Sequence, residues 1–329
     1  MTTVLARSWV RSTGALADRR AFLLLLIVVA AAAMSLLSPY FLQVHNLLSM
    51  TQYGAVIGLL ALGQSLVILG GNGGIDLSVG SMLSLSGVLM GLMTRYGGLN
   101  PWLAAVVTLG ASVGLGAVNG ILVAGLSIPP LIVTLSTLYL YGSLANVLTG
   151  GGQLGGFDRA GFPALGQTAI LGIPTQVLLV FLPATAVCVW ALHRTRSGRV
   201  LYQVGTSQLA ASLVGIDVRR TRFTLYCVSG LLAGLGAIVT NSWLLTARPS
   251  AGAGLELQAI TIAVLGGIDI FGGRGYLSGT FLGVILVVVL NSGLQLAEVG
   301  GSVQNGLLGA VLVVSVLLNN LVLNRKPPR

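Results

Sequence analysis

Residues Gly70–Ser81 read GGNGGIDLSVGS and separate two apolar runs, 51–70 and 78–94. Each run is long enough to cross a bilayer, which takes roughly 17–25 apolar residues. Glycines, an asparagine and a carboxylate destabilise such a setting, so the stretch is either a built turn or part of a working site. As a turn, Asp76 stands one or two residues before the third apolar run, where its carboxylate can accept free backbone N–H groups and complement the positive helix end. Gly73 and Gly74 permit positive φ for a tight reversal. Gly80, Ser84, Gly87 and Gly91 then give the following helix a face of small residues. As a site, Asn72, Asp76 and Ser78 line the inner mouth of a pathway and meet a hydroxyl-rich solute or control its gate. Gln64, Asn119, Asn146, Asn241, Asn291 and Gln295 are further polar candidates within apolar runs, each equally able to bond helix to helix. Asp269 joins the pathway set because GGID recurs at Gly266–Asp269. Repeated halves are common in transporters, but four residues in a glycine-rich chain also fit chance or common turn chemistry.

The rest of the chain carries the same signature. Of its 329 residues 55% are hydrophobic and only 7% charged, against about a quarter charged in soluble domains. The fold class expected is all-α, a polytopic helical membrane bundle of about ten transmembrane helices. The spans fall near 21–38, 51–70, 78–94, 102–124, 130–149, 174–192, 223–246, 257–272, 277–296 and 303–323. Residues 1–20 precede the bundle, a loop at 193–222 interrupts it, and 324–329 form a tail. Arg19 and Arg20 before an apolar run resemble a signal peptide, yet no small-residue cleavage pattern follows, so the first helix is read as retained. With the N-terminus inside, fourteen of the seventeen Lys and Arg residues lie on the cytoplasmic side, as the positive-inside rule demands. Arg95, Arg159 and Arg248 are the exceptions. Both termini are therefore expected in the cytoplasm. The glycine pairs Gly110/Gly114, Gly116/Gly120, Gly230/Gly234 and Gly279/Gly283 are spaced for close helix packing.

The net charge of +10 forms no basic stripe with interleaved aromatics, so nucleic acid is not an expected partner. The chain has one lysine, Lys326, which excludes a phosphate-cradling loop with its lysine. His45 and His193 lie in different loops with no ligand-spaced partners, and Cys188 and Cys227 sit in apolar runs. Neither a metal, a cofactor nor a catalytic residue is expected. The seven acidic residues, Asp18, Asp76, Asp158, Asp217, Glu256, Asp269 and Glu298, all fall at expected helix ends or loops. Ion coupling within the spans is thereby disfavoured, and energy is expected to arrive through a surface that a partner pushes.

The central loop is the candidate for that surface. Ser207 caps a short helix through Val214, and Gly215 supplies its left-handed stop. Leu209, Leu213 and Val214 form an apolar stripe too short to be stable alone. The stripe docks on the membrane domain or a partner, or it lies on the bilayer with its arginines on anionic lipid.

Ala210, Ala211 and Gly215 form A-A-x-x-x-G, which resembles the coupling motif of ABC importer permeases, with Leu209 where the fuller motif has a glutamate. With Gly205 and Ile216 the spacing resembles the ribose-type monosaccharide permeases. GGIDLSVGS, PLIVTLSTLYLYG at Pro130–Gly142 and VLGGIDIFGGRG at Val264–Gly275 are similar to that family from the second span through the ninth. Autoinducer-2 and rhamnose permeases look nearest. The resemblance implies a non-enzymatic permease of the bacterial inner membrane that pairs with a second permease subunit over two ATPase subunits. It implies a sugar delivered by a periplasmic or lipid-anchored binding protein, with Gly205, Leu209, Ala210, Ala211, Gly215 and Ile216 meeting the ATPase and Arg219, Arg220 and Arg222 supplying charge. The other reading is a self-sufficient facilitator or secondary transporter.

Overall fold

The computed structural model describes residues 2–301 and 303, 304, 306, 307, 309, 310 and 313, with side chains from Arg20 onward. Between Thr2 and Leu296 twelve α-helices are assigned, with one two-stranded hairpin, β1 (Ala169–Ile170) with β2 (Ile173–Pro174). They are α1 Thr2–Leu37, α2 Val44–Leu69, α3 Val79–Arg95, α4 Pro101–Gly120, α5 Pro130–Thr149, α6 Pro163–Gln167, α7 Leu182–Arg194, α8 Arg196–Thr206, α9 Gln208–Leu213, α10 Val218–Leu244, α11 Leu255–Leu265 and α12 Leu277–Leu296. Short π turns extend α4 to Gly125 and begin α7 at Val177.

Seven of these stretches are long and apolar enough to cross a membrane, with α3 and α11 as shorter apolar helices. Proline at the first position of α4 and α5 fits the one helix site where a missing N–H costs nothing. Asn100 caps α4 by accepting from the Trp102 amide at 2.9 Å, and Gly150 closes α5 in the left-handed region. The expected spans 130–149 and 277–296 coincide with α5 and α12. The eighth does not: 257–272 ends as a helix at Leu265, and 266–272 is loop. Eleven residues reach only about 16 Å at 1.5 Å per residue. The physical reason is Gly266, where a Cβ would lie 2.5 Å from the Thr280 amide, followed by Gly267 at φ 97. Asp18 is likewise not at a helix end, since α1 is unbroken from Thr2 to Leu37. The tenth expected span, 303–323, lies largely outside the described residues, and the tail 324–329 entirely so.

Helix α2 is the centre of the bundle, buried from Gly54 to Leu69, with α10 packed against it, α3 and α4. Two apolar clusters meet on α2, one through Ile57, Leu60 and Ala61 toward α3 and α10, the other through Leu59, Leu62 and Leu66 toward α7 and α10. Glycine permits this closeness. Gly116 and Gly120 of α4 lie against the backbone of Tyr226 and Phe223, Gly230 and Gly234 against Ser112, and Gly279 and Gly283 against Gly266 and Ile262. Gly110 and Gly114 meet nothing within 4 Å among the described residues, so that pair joins no helices there.

Loops gather at two ends. At one, Arg159 donates to the Thr94 carbonyl, Leu154 and Ala247 exchange backbone hydrogen bonds, and Ser242 Oγ donates to the Phe162 carbonyl at 2.7 Å. At the other, the loops after α2 and α11 meet α8.

Candidate functional site

Helix α2 ends at Gly70, and the chain reverses through Gly71, Asn72 and Gly73, all at positive φ. The left-handed positions are therefore 71–73 rather than Gly73 and Gly74. Gly74 instead closes the turn, its amide donating to the Gly71 carbonyl at 3.0 Å, where a Cβ would strike the Val67 carbonyl at 2.6 Å.

This reversal delivers Asp76 into the interior with no exposed surface. Asp76 Oδ1 accepts from the Ser78 amide at 3.0 Å and Ser78 Oγ at 2.6 Å, and Oδ2 accepts from Ser229 Oγ of α10 at 2.8 Å. Ser78 Oγ in turn accepts from Asn119 Nδ2 of α4 at 2.7 Å. Gln64 of α2, with its amide turned to satisfy both neighbours, donates to the Asp76 carbonyl at 2.9 Å and accepts from the Asp76 amide at 3.2 Å. A buried carboxylate without a cation is tolerated when hydrogen bonds fill its lone pairs. Here they also tie α2, α4 and α10 to the start of α3. Ser78, not Asp76, occupies the N-cap of α3, with its hydroxyl committed to the carboxylate.

Four expected pathway residues, Gln64, Asp76, Ser78 and Asn119, thus form one network. Asn72, Asn291 and Asp269 stand apart. Asn72 is exposed in the turn, Asn291 donates to Gln258 Oε1 at 3.2 Å, which also accepts from the Tyr53 hydroxyl at 2.6 Å, and Asp269 sits in the loop after α11. There Asp269 Oδ1 accepts from the Phe271 amide at 3.0 Å, the same two-residue turn that Asp76 makes. Asn241 bonds the Gly87 carbonyl at 3.0 Å, a helix-to-helix tie. Ser229 was not singled out from sequence; its signal is the S-G-L-L-A-G-L-G run of α10, read as packing alone.

The two GGID loops and α8 meet in a junction of glycines. The Gly273 amide donates to the Leu69 carbonyl at 3.0 Å. A Cβ on Gly71 would lie 2.6 Å from the Gly205 carbonyl, and one on Gly205 would strike the Leu69 carbonyl and lie 2.5 Å from the Gly273 amide. Gly272 and Gly273 are both at positive φ and abut Gly71 and Thr206. Tyr202 of α8 adds a hydrogen bond to the Gly275 carbonyl at 2.7 Å. Burial, helped by the neighbouring Tyr276, pushes the Tyr202 phenol up to about 12, so it remains a neutral donor throughout the physiological range.

Beyond the junction, Ser207 Oγ accepts from the Ala210 amide at 3.2 Å and caps α9. The Gly215 amide donates to Ser212 and the Ile216 amide to Ala211, each at 3.0 Å, with Gly215 at φ 80. That pair of bonds is the left-handed helix stop expected of a glycine. Leu209, Leu213 and Val214 are 72%, 79% and 74% exposed. Ala210 and Gly215 share that exposure, Ile216 is half-buried, and Gly205 and Ala211 face the chain's own interior.

Residues 46–316 match the family model described as branched-chain amino acid transport system / permease component. The chain belongs to that family. The permease is 38% identical to the ribose import permease protein RbsC of Bacillus subtilis (strain 168), over 87% of this chain and 88% of that one. It is 36% identical to the autoinducer 2 import system permease protein LsrD of Photorhabdus laumondii over 87% and 86%, and to RbsC of Escherichia coli (strain K12) over 87% and 89%. No solved structure matches.

Proposed function

We propose that this permease is the membrane subunit of an ABC importer for a small sugar or sugar-like solute, with ATP hydrolysed by a separate subunit. The observation that carries it is α9: a capped helix whose apolar ridge no described residue covers, while its inward face is joined through α8 to the loop that holds Asp76. An ATPase groove is the partner such a ridge fits, because three large apolar side chains on so short a helix gain stability only when covered. The relatives' names supply the solute class, ribose or autoinducer 2.

In this reading the protein has about ten membrane segments, α3, the half-length α11 and the expected span at 303–323 joining the seven long ones. Both termini are cytoplasmic, in the inner membrane of a bacterium, and a second permease subunit and a periplasmic or lipid-anchored binding protein complete the importer. Positively charged residues near the junction, Arg219, Arg220 and Arg222, support the cytoplasmic placement of α9.

Gly215→Asp puts a charge and a side chain into the left-handed stop beside the ridge. ATP-driven uptake of labelled ribose or autoinducer 2 is expected to disappear while membrane insertion persists. Copurification at native expression is expected to bring down an ATPase and a sugar receptor. Solute flux through the purified permease alone in liposomes would establish the self-sufficient transporter instead.

A further inference from the structure

Three spans end at one corner of the bundle. The apolar stretch of α1 begins at Arg20, that of α7 ends at Arg194, and that of α12 begins at Leu277. Tyr276, the residue before α12, gathers all three. Its ring stacks on His193 with centroids 6.0 Å apart and planes 18° from parallel, and the Arg20 guanidinium carbon lies over it at 5.8 Å from the centroid. Packing beneath fixes the arrangement. Leu23 of α1 is buried with Leu265 and Leu286, and Leu192 of α7 shares a buried cluster with Leu277. The Tyr202 hydroxyl, bonded to the Gly275 carbonyl at 2.7 Å, ties α8 to the same corner.

The corner is positive, and no described carboxylate is paired with it. Arg20, His193 and Tyr276 are exposed, as are Arg194 and Arg274 beside them. Among the described residues none of these arginines has an ion-pair partner. Asp269, the carboxylate of the loop before Tyr276, accepts from the Phe271 amide instead. His193 Nδ1 donates to the Val189 carbonyl at 2.9 Å, which leaves Nε2 without a partner among the described residues. No side chain caps α12, so the free amides of its first turn add the positive end of the helix. An arginine laid on a ring keeps its N–H edge open, and that edge matches the oxygens of a phosphate in pairs. Toward the membrane the surface changes character. One and two turns along α1 from Arg20 come Leu24 and Val28, and one turn back from His193 on α7 comes Trp190, all exposed. Residues at such spacings share a helix face, so each cationic group heads an open apolar strip.

We infer that this corner binds an anionic phospholipid of the phosphatidylglycerol kind. Arg20 and His193, set on the Tyr276 platform, meet the phosphate, and the acyl chains lie along Leu24, Val28 and Trp190. Basic pockets between spans on the cytoplasmic side suit acidic head groups, and the topology proposed above puts the corner on that side. The other end of the bundle supplies a contrast. There the Arg95 guanidinium lies 5.7 Å from the ring centroid of Tyr96, its own chain neighbour, a pair that joins no second span and serves as an ordinary interfacial anchor. The inference goes beyond the importer reading, since it concerns the bilayer and not the solute.

The test places the full chain in phosphatidylcholine vesicles containing a minor fraction of phosphatidylglycerol, with brominated chains on one lipid or the other. Bromine quenches a tryptophan on contact, and Trp190, 62% exposed, is the reporter; its signal is the part that Trp190→Phe removes. Mole for mole, brominated phosphatidylglycerol is expected to occupy the Trp190 site about tenfold more readily than brominated phosphatidylcholine, as more than one cation near the surface implies. Arg20→Gln and Tyr276→Ala are each expected to lower that preference about fivefold, the effect of one surface charge, while Arg95→Gln leaves it unchanged. All three positions are exposed, so these variants are expected to fold. Equal quenching by the two lipids in the unsubstituted chain overturns the assignment. So does a preference that survives both Arg20→Gln and Tyr276→Ala, which marks diffuse charge attraction. Absence of quenching by either lipid overturns it too, because another protein surface then covers the corner. None of these readings depends on uptake, so the importer reading stands or falls separately.

Discussion

Gly205→Ala is expected to abolish ATP-driven uptake. The added methyl strikes the Leu69 carbonyl and lies 2.5 Å from the Gly273 amide, and both obstacles are backbone in hydrogen-bonded turns, so no side chain can swing aside. Overpacking of this kind costs about 1–3 kcal/mol or more, and the upper figure alone is roughly a hundredfold in the balance of packed and displaced states. The measurement pairs uptake with the thermal midpoint of the detergent-solubilised protein. Gly110→Ala is the control, since no described residue lies within 4 Å of that position, and it is expected to leave both values unchanged. Wild-type uptake and midpoint in Gly205→Ala would mean that α8 and the two loops do not meet as described.

Asp76→Ala is expected to be nearly as severe, and Asp76→Asn mild. Alanine leaves the Ser78 amide, Ser78 Oγ and Ser229 Oγ without their acceptors in a site with no exposed surface. Each unsatisfied buried group costs about 1–3 kcal/mol. Asparagine keeps Oδ1 for both Ser78 donors and turns Nδ2 toward Ser229, whose hydroxyl reverses to accept. Thermal midpoint and uptake of the two variants decide the matter. If Asp76→Asn is as damaged as Asp76→Ala, the negative charge itself is required and the network is more than a tie between helices.

Much of this was legible in the chain. The apolar runs fixed nearly all helix positions because a bilayer admits little besides helices, and Gly215 marked the end of α9 by backbone chemistry alone. The eighth span was misjudged because a continuous apolar run from 257 hides the point where Gly266 must meet α12. The grouping of Gln64, Asp76, Ser78 and Asn119 was only half visible: each was recognisable as a costly polar residue, but not whether it faced a solute or a neighbour.

Local physics therefore determined the class of protein, the helices, their caps and the short ridge of α9, since these depend on composition, spacing and backbone preference within a few residues. The tertiary structure decided which polar residues are sealed and which are open, because that depends on contacts between segments more than a hundred residues apart. Asp76 and Ser229, separated by 153 positions, became partners only through helix packing, and so did Gly71, Gly205 and Gly273.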